Sequence, residues 1–433
     1  NAQDWFKEMH KVKKGETIYG LCQQYGLTEQ ELMKANPDLQ KPNAKLKKGS
    51  FIVIPYRTIK TIQDVAPENE ELFANSKPKV SYFGRMKIAI MLPFGSTDKA
   101  KRASAIMYYR GFMLAINSLK SQGINMELTI CDTGRNEEKV DSLLHVSAIQ
   151  DLDLLFCPQV ERNERKIADF ARSHQIRTVF TQTDQVNSNP YLYSMNAATQ
   201  LLYQDAADFF VRKFAKANVI ILDMKDSNAR TSRGQFTDIL KKTLSDKGIN
   251  YTFLAIDSSN DLIQKTLQTA KQNVIVPNSA SLPLMKKMMN QWKKVVDNKP
   301  SLRVSVFGHK EWLSMASDMK TQFYALDTYI YSKVWFNPGN ASSKQLAADY
   351  QKWYNDKLPT IMPSVPTIGY DTAFYIIKGL SNYGTAFEEH LKDFTTRTYQ
   401  NFIEFERAGT MGGFVNRKVG YVHFNKKVVN VEY

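Results

Sequence analysis

The sequence predicts an α/β protein: a small unit of two strands and two helices, then two doubly wound parallel sheets arranged as two lobes. Three observations carry this. Residues 1–56 hold strand-like and helical segments in the order strand, helix, helix, strand. From Arg85 onward, short apolar runs alternate with longer helical patterns, as in parallel sheets covered by helices. The alternation starts afresh after Ser194 and so supplies a second sheet.

Bulk properties fit this organisation. At 433 residues the chain exceeds one ordinary core. A composition of 43% hydrophobic and 23% charged residues belongs to globular proteins, not disordered ones. No apolar run approaches the ~20 residues of a membrane span, so no transmembrane segment is expected. The net charge of +15 comes from lysines spread along the chain, as in Lys286–Lys287 and Lys293–Lys294. No nucleic-acid motif accompanies them, so nucleic acid is not an expected partner. A solvated face explains any single pair, and an anionic wall polymer or lipid leaflet fits the total equally well. Cys22, Cys131 and Cys157 lack the spacing of a zinc or redox site and read as buried free thiols. At most one disulfide could form, and the sequence does not choose it. The chain opens at Asn1 without Met, which suits a processed or trimmed start.

In the first unit, Lys11–Val12 gives the strand signal and Gly15 the turn. Thr17 is placed to cap a helix whose apolar face is Ile18, Leu21, Cys22 and Tyr25. Gly26 is its expected stop. Thr28 with Glu31 forms a capping-box pattern for a second helix, with Leu32, Met33 and Ala35 inward. Asn36-Pro37 ends it, because proline disfavours helix in the preceding residue. Gly49 then turns the chain into the strand Phe51–Ile54.

The residues His10, Val12, Gly15, Glu16, Thr17, Ile18, Tyr25, Leu32, Asn36, Pro37, Leu39, Leu46, Gly49, Ile52 and Ile54-Pro55 follow one another in the order of a known family. On them, residues 1–56 resemble a LysM carbohydrate-binding domain. The resemblance implies a shallow groove for N-acetylglucosamine units of peptidoglycan or chitin. Carried over, one side would be Gly15, Glu16, Thr17 and Ile18, and the other Asn36, Pro37, Asp38 and Leu39. Gly15, Asn36 and Pro37 are turn residues as well. A single copy is expected to bind glycan weakly, since affinity in such systems grows with multivalency.

Residues 57–84 are polar, with Pro67, Pro78 and the acidic cluster Glu68, Glu70 and Glu71, and read as a linker. Beyond it, strands are expected at Lys87–Leu92, Met126–Cys131, Leu154–Cys157 and Thr178–Thr181, then at Asn218–Leu222, Tyr251–Ala255, Asn273–Val276 and Val304–Phe307. Helices are expected at Ala103–Gln122, Glu138–Ile149 and Arg165–His174, then at Leu201–Phe214, Gly234–Lys247, Leu262–Ala270 and Ala280–Val295.

Four stretches carry a second, more diffuse resemblance: Lys87–Phe94, Tyr109–Ile116, Gly369–Ala373 and Gly420–Asn425. With them residues 85–433 resemble the type I periplasmic solute-binding proteins, the leucine-binding-like superfamily. The likeness implies two lobes, about 85–195 with 336–406 and 196–335 with 407–433. The chain would then cross between lobes near Ser194–Ala197, Tyr329–Trp335 and Arg407–Gly412. Amino-acid-binding members cradle the ligand's carboxylate in a small, glycine-rich loop after the third strand. Here that loop is Pro158-Gln159-Val160-Glu161-Arg162, glycine-poor and acidic, which argues against ordinary amino-acid uptake. Cleft candidates are Gln159, Glu161, Thr181, Tyr203, Asp226 and Tyr331, residue types that more often pack or face solvent.

No motif of nucleophilic, metal-dependent or phosphate-binding catalysis is present, so no catalytic residue, metal or cofactor is expected. The six histidines are isolated in sequence. The resemblances together imply a non-enzymatic protein of the periplasm or cell envelope, with outer-membrane association as one option. Its expected role is a peptidoglycan-bound scaffold or regulator with an envelope protein as partner. The logic is similar to that of outer-membrane lipoprotein activators of cell-wall synthases, with LysM in place of their helical N-terminal part. The alternative is a wall-tethered receptor for a small ligand in the cleft, such as a muropeptide or amino-acid derivative.

Overall fold

A computed structural model describes residues 6–25, 27–40, 44–55, 85–134, 137–228 and 235–433. The expected linker at 57–84 and the expected helix stop at Gly26 lie outside them. The chain divides into two compact units, Asn1–Asn196 with Phe336–Arg417, and Ala197–Trp335 with Lys418–Tyr433.

The N-terminal module of the first unit pairs β1 (Phe6–Lys11) antiparallel with β2 (Phe51–Pro55). β1 begins earlier than the strand signal at Lys11–Val12. Between them lie α1 (Ile18–Tyr25) and α2 (Glu29–Ala35). Their starts follow local chemistry. Thr17 Oγ1 accepts the Gly20 N–H at 3.0 Å. The Thr28 side chain accepts from the Glu31 N–H while Glu31 accepts from the Thr28 N–H, a complete capping box. Leu21, Cys22, Leu32, Ile52 and Ile54 form the small core.

The rest of the first unit is built on β3 (Met86–Leu92), β4 (Met126–Asp132), β5 (Leu154–Cys157), β6 (Arg177–Phe180) and β7 (Leu192–Ser194). Helix α3 (Lys99–Ser121) follows β3, with Asp98 as its N-cap. The helix expected at Glu138–Ile149 is two pieces, α4 (Glu137–Leu144) and α5 (Ser147–Gln150). The break lets Leu143, Leu144 and Ile149 all reach the core. Helix α6 (Glu164–His174) precedes β6.

Two late strands, β13 (Phe405–Arg407) and β14 (Phe414–Asn416), complete the sheet order β13-β14-β7-β6-β5-β3-β4. Every pairing in it is parallel except β13 with β14. The third crossing therefore falls at Arg417–Lys418, later than the expected Arg407–Gly412. The Phe405 and Phe414 rings both pack on Tyr193, which holds these strands in the first sheet.

The module rests on this lobe. Ala35 and Val53 share one buried cluster with Met126, Ile130 and Leu119. Lys34 reaches Glu127 at 3.5 Å, and Arg85 holds the same carboxylate at 2.7 Å.

In the second unit, β8 (Asn218–Asp223), β9 (Tyr251–Ala255), β10 (Asn273–Pro277), β11 (Val304–Gly308) and β12 (Thr328–Ser332) are parallel. The hairpin β15 (Gly420–Asn425) and β16 (Val428–Glu432) adds antiparallel on β12, giving the order β16-β15-β12-β11-β10-β8-β9. The sheets are thus largely, not wholly, parallel. Mixed sheets of this kind commonly carry antiparallel edge strands.

Candidate functional site

The loop between β1 and α1 is fixed by one carboxylate. Glu16 Oε2 lies 2.8 Å from His10 Nε2 and accepts the Lys13 N–H at 2.7 Å. These contacts, the His10 hydrogen bond foremost, hold the Glu16 carboxyl below its ordinary range. The other ring nitrogen of His10 meets Tyr25 Oη at 2.9 Å. Gly15 sits at φ +87°, where a side chain would be strained, with open space where a β-carbon would stand. Gly15 and Thr17 are exposed, while Glu16 and Ile18 are half-buried.

On the other loop, Asn36, Pro37 and Leu39 are buried and Asp38 is half-buried. The Asn36 amide is engaged internally. Its Nδ2 donates to the carbonyls of Leu32 and Val53, each at 2.8 Å, and its Oδ1 accepts the Val53 N–H at 2.7 Å. Asn36 therefore clamps the end of α2 to β2, and a ligand at this loop would meet its backbone and the side chain of Asp38. The two loops touch the same apolar cluster through Ile18 and Leu39.

A second concavity, of about 760 Å³, opens at the carboxyl end of the first sheet. It sits beside β3, the strand flanked by β4 and β5, where the order reverses and α/β sheets place ligands. Gln159, Glu161 and Thr181 all line it. Glu161 takes a left-handed φ of +43° and meets Lys101 Nζ at 2.6 Å. Thr181 Oγ1 donates to the Pro158 carbonyl at 2.9 Å. Gln159 Nε2 donates to Ser104 Oγ at 2.9 Å.

The electrostatics disfavour an anionic guest. Asp98 already accepts the Ala100 and Lys101 N–H groups at the start of α3. Gln159 Oε1 and Asn163 Oδ1 are buried acceptors with no hydrogen-bond partner among the described residues. Such a lining asks for donors from a guest. Ser96, Lys101 and Thr133, which also line it, were not among the sequence candidates. The signal that could have found them was their place just after β3 and β4.

The other three candidates, Tyr203, Asp226 and Tyr331, belong to the second unit. Tyr331 is 1% exposed and packs on Phe236 and Phe307. Its hydroxyl contacts His309 Nδ1 at 3.0 Å, while His309 Nε2 meets the Pro277 carbonyl at 2.7 Å. Burial pushes the His309 pKa down, which favours the neutral ring. Tyr203 joins this group through its ring, 6.1 Å from that of Tyr331. Asp226 stands apart from it, accepting from Ser279 Oγ at 2.5 Å.

The cysteines are free and buried, and burial pushes the Cys131 thiol up to about 12, which suppresses nucleophilicity. Among the described residues no group of three or more His, Cys, Asp and Glu could hold a metal. No described helix is long and apolar enough to cross a membrane.

Comparison with known proteins bears on both parts. Residues 10–55 match the LysM domain family. No curated protein sequence matches the chain significantly. Among solved structures, a putative branched-chain amino acid ABC transporter from Rhodospirillum rubrum is similar at TM-score 0.55 and 9% identity, over 80% of this chain and all of that one. Full-length LpoA from Haemophilus influenzae is similar at TM-score 0.51 and 13% identity, over 83% of this chain and 60% of LpoA. At these identities the likeness is one of fold: beyond the LysM domain, the chain has the two-lobed fold of type I periplasmic binding proteins.

Proposed function

We propose that this chain is a non-enzymatic, glycan-binding protein of the cell envelope. In this reading the module holds peptidoglycan through its N-acetylglucosamine units, and the two-lobed part serves as scaffold or regulator toward an envelope protein. The observation that carries it is the LysM match over residues 10–55, on a segment folded as strand, helix, helix, strand. An extracytoplasmic location follows from that ligand, and association with the outer membrane belongs to the same proposal. The glycan would lie against the loops Gly15–Ile18 and Asn36–Leu39. Co-sedimentation with purified peptidoglycan tests this. The intact chain is expected in the pellet, and a variant lacking the residues before Arg85 in the supernatant. Equal retention of both would remove the module as the anchor.

A second reading, a receptor for a small ligand, is favoured by the concavity of about 760 Å³ at the end of the first sheet. Its volume is that of small-molecule sites. The buried acceptors of Gln159 and Asn163 favour a donor-rich ligand over a free carboxylate. Native mass spectrometry of the intact chain discriminates. A retained small molecule, lost in a Gln159→Leu variant, would support the receptor, and a bare mass supports the scaffold.

A further inference from the structure

The module and the first lobe together line an open cavity of about 690 Å³. From the module it takes the loop Asn36–Leu39 and the strand β2, and from the lobe Phe94, Ile130, Asp132, Lys139 and Leu143. We propose that this cavity is a sugar subsite continuing the glycan groove, in which the lobe, not the module, supplies Asp132 and Lys139. The proposal rests on the glycan-binding reading of the module and extends it to a second part of the chain.

The chemistry of the lining points to a sugar. Phe94, Ile130 and Leu143 offer apolar surface to a pyranose face or an acetyl methyl, while Asp38, Asp132 and Lys139 offer polar contacts. Asp132 is prepared for this: its Oδ1 accepts the N–H groups of Gly95 at 2.9 Å and Gly134 at 2.8 Å, which fixes the carboxylate. Its Oδ2 is turned toward Lys139 Nζ at 3.3 Å. The same ammonium lies 3.3 Å from Asp38 Oδ2, on the module. Lys139 thus bridges Asp38 of the module and Asp132 of the lobe, an ion pair with each. A sugar hydroxyl can donate to a carboxylate and accept from the ammonium at once. Lys45 and Lys47 of the module also line the cavity, so its charges are mixed, and the apolar wall rather than net charge suits an N-acetylated sugar. Asn36–Leu39, one side of the module's proposed groove, also line this cavity, so a glycan long enough to pass that loop would reach it and a shorter one would not.

The test is calorimetric titration of the intact chain with N-acetylglucosamine oligomers, a disaccharide and a pentasaccharide. Lys139→Ala and Asp132→Asn are each expected to weaken the pentasaccharide about tenfold and leave the disaccharide unchanged. Asp132→Asn keeps the oxygen that binds Gly95 and Gly134, so it reports on the site and not on the loop. Hydrogen exchange adds a readout independent of substitution: the pentasaccharide should protect Ile130–Gly134 as well as the module. If the native chain binds both oligomers and the variants match it, with no protection at Ile130–Gly134, the subsite is overturned while the glycan reading stands. Equal weakening of both oligomers also overturns it, since the loss then acts through the module. Binding of neither by the native chain overturns the glycan reading and the subsite together.

Discussion

Gly111 on α3 meets Pro366 backbone to backbone. Pro366 lies in the first turn of α7 (Val365–Tyr383), and a β-carbon at Gly111 would lie 1.7 Å from its carbonyl oxygen. The contact is reciprocal, since a β-carbon at Gly369 would lie 2.3 Å from the Tyr108 carbonyl oxygen. The two helices cross where neither carries a side chain. Neighbouring atoms here are backbone and cannot swing aside. Gly111→Ala should therefore cost at least the upper end of overpacking, about 3 kcal/mol, read as a lowered urea midpoint for the first unit.

Arg177 is 1% exposed and grips Glu388 with two donors, Nε at 2.6 Å and Nη2 at 2.9 Å. Tyr193 Oη donates to the same carboxylate at 2.5 Å. Removing the acid leaves a buried guanidinium without its counter-charge. Glu388→Ala is expected to destabilise the fold by about 3–5 kcal/mol. Denaturant unfolding checks this, and a loss under about 1 kcal/mol would mean the pair behaves as a surface one.

Asp371 is fully buried and accepts the N–H groups of Tyr399, Gln400 and Asn401 at 2.7–2.8 Å. Burial pushes its carboxyl up to about 7, against those donors, which favour the ionised form. A folded pKa above the unfolded one makes the folded state hold its proton longer. The stability this group contributes is complete below about pH 4 and is lost as pH rises through about 7, by about 4 kcal/mol at most. The stability of the native chain relative to Asp371→Asn should therefore fall between pH 4 and 7. A difference that is flat or rises across that window would refute the assignment.

Asn36 makes one hydrogen bond to Leu32 of α2 and two to Val53 of β2. Asn36→Ala leaves the Val53 N–H without an acceptor and should destabilise the module by about 1–3 kcal/mol. Faster amide exchange along β2, with exchange in the second unit unchanged, would show this. If glycan binding falls only in step with that exchange, the side chain serves the fold and not the ligand.

The legible parts of the sequence were local. The order of elements in the module, the Thr17 and Thr28 caps and the strand–helix alternation from Met86 all rest on residues within a turn or two of one another. Chain neighbours meet in any compact fold, so periodicity and capping chemistry suffice to find them. The stretches Tyr109–Ile116 and Gly369–Ala373 stood out as resembling a family, but nothing local accounts for their glycines. The contact of α3 with α7 does, across more than two hundred residues of chain.

The placement of the third crossing failed for the same physical reason. β13 and β14 are too short to declare a sheet by pattern, and Tyr193, far back in the chain, holds them. The candidate site divides likewise. Of the six cleft candidates, Gln159, Glu161 and Thr181 share one concavity in the structure, because loops after parallel strands gather at one end of a sheet. The sequence could not show that the Asn36 amide is spent on β2, or that Asp38 faces Lys139. Packing within the module sets the first, and how the module rests on the first lobe sets the second, through Ala35 and Val53 meeting a cluster built around Met126 and Ile130. The sequence alone determined the longer strands and helices and what kind of module leads the chain. Packing between elements distant in sequence decided which polar groups remain to meet a ligand, because each group can be spent only once and only the folded neighbours determine where.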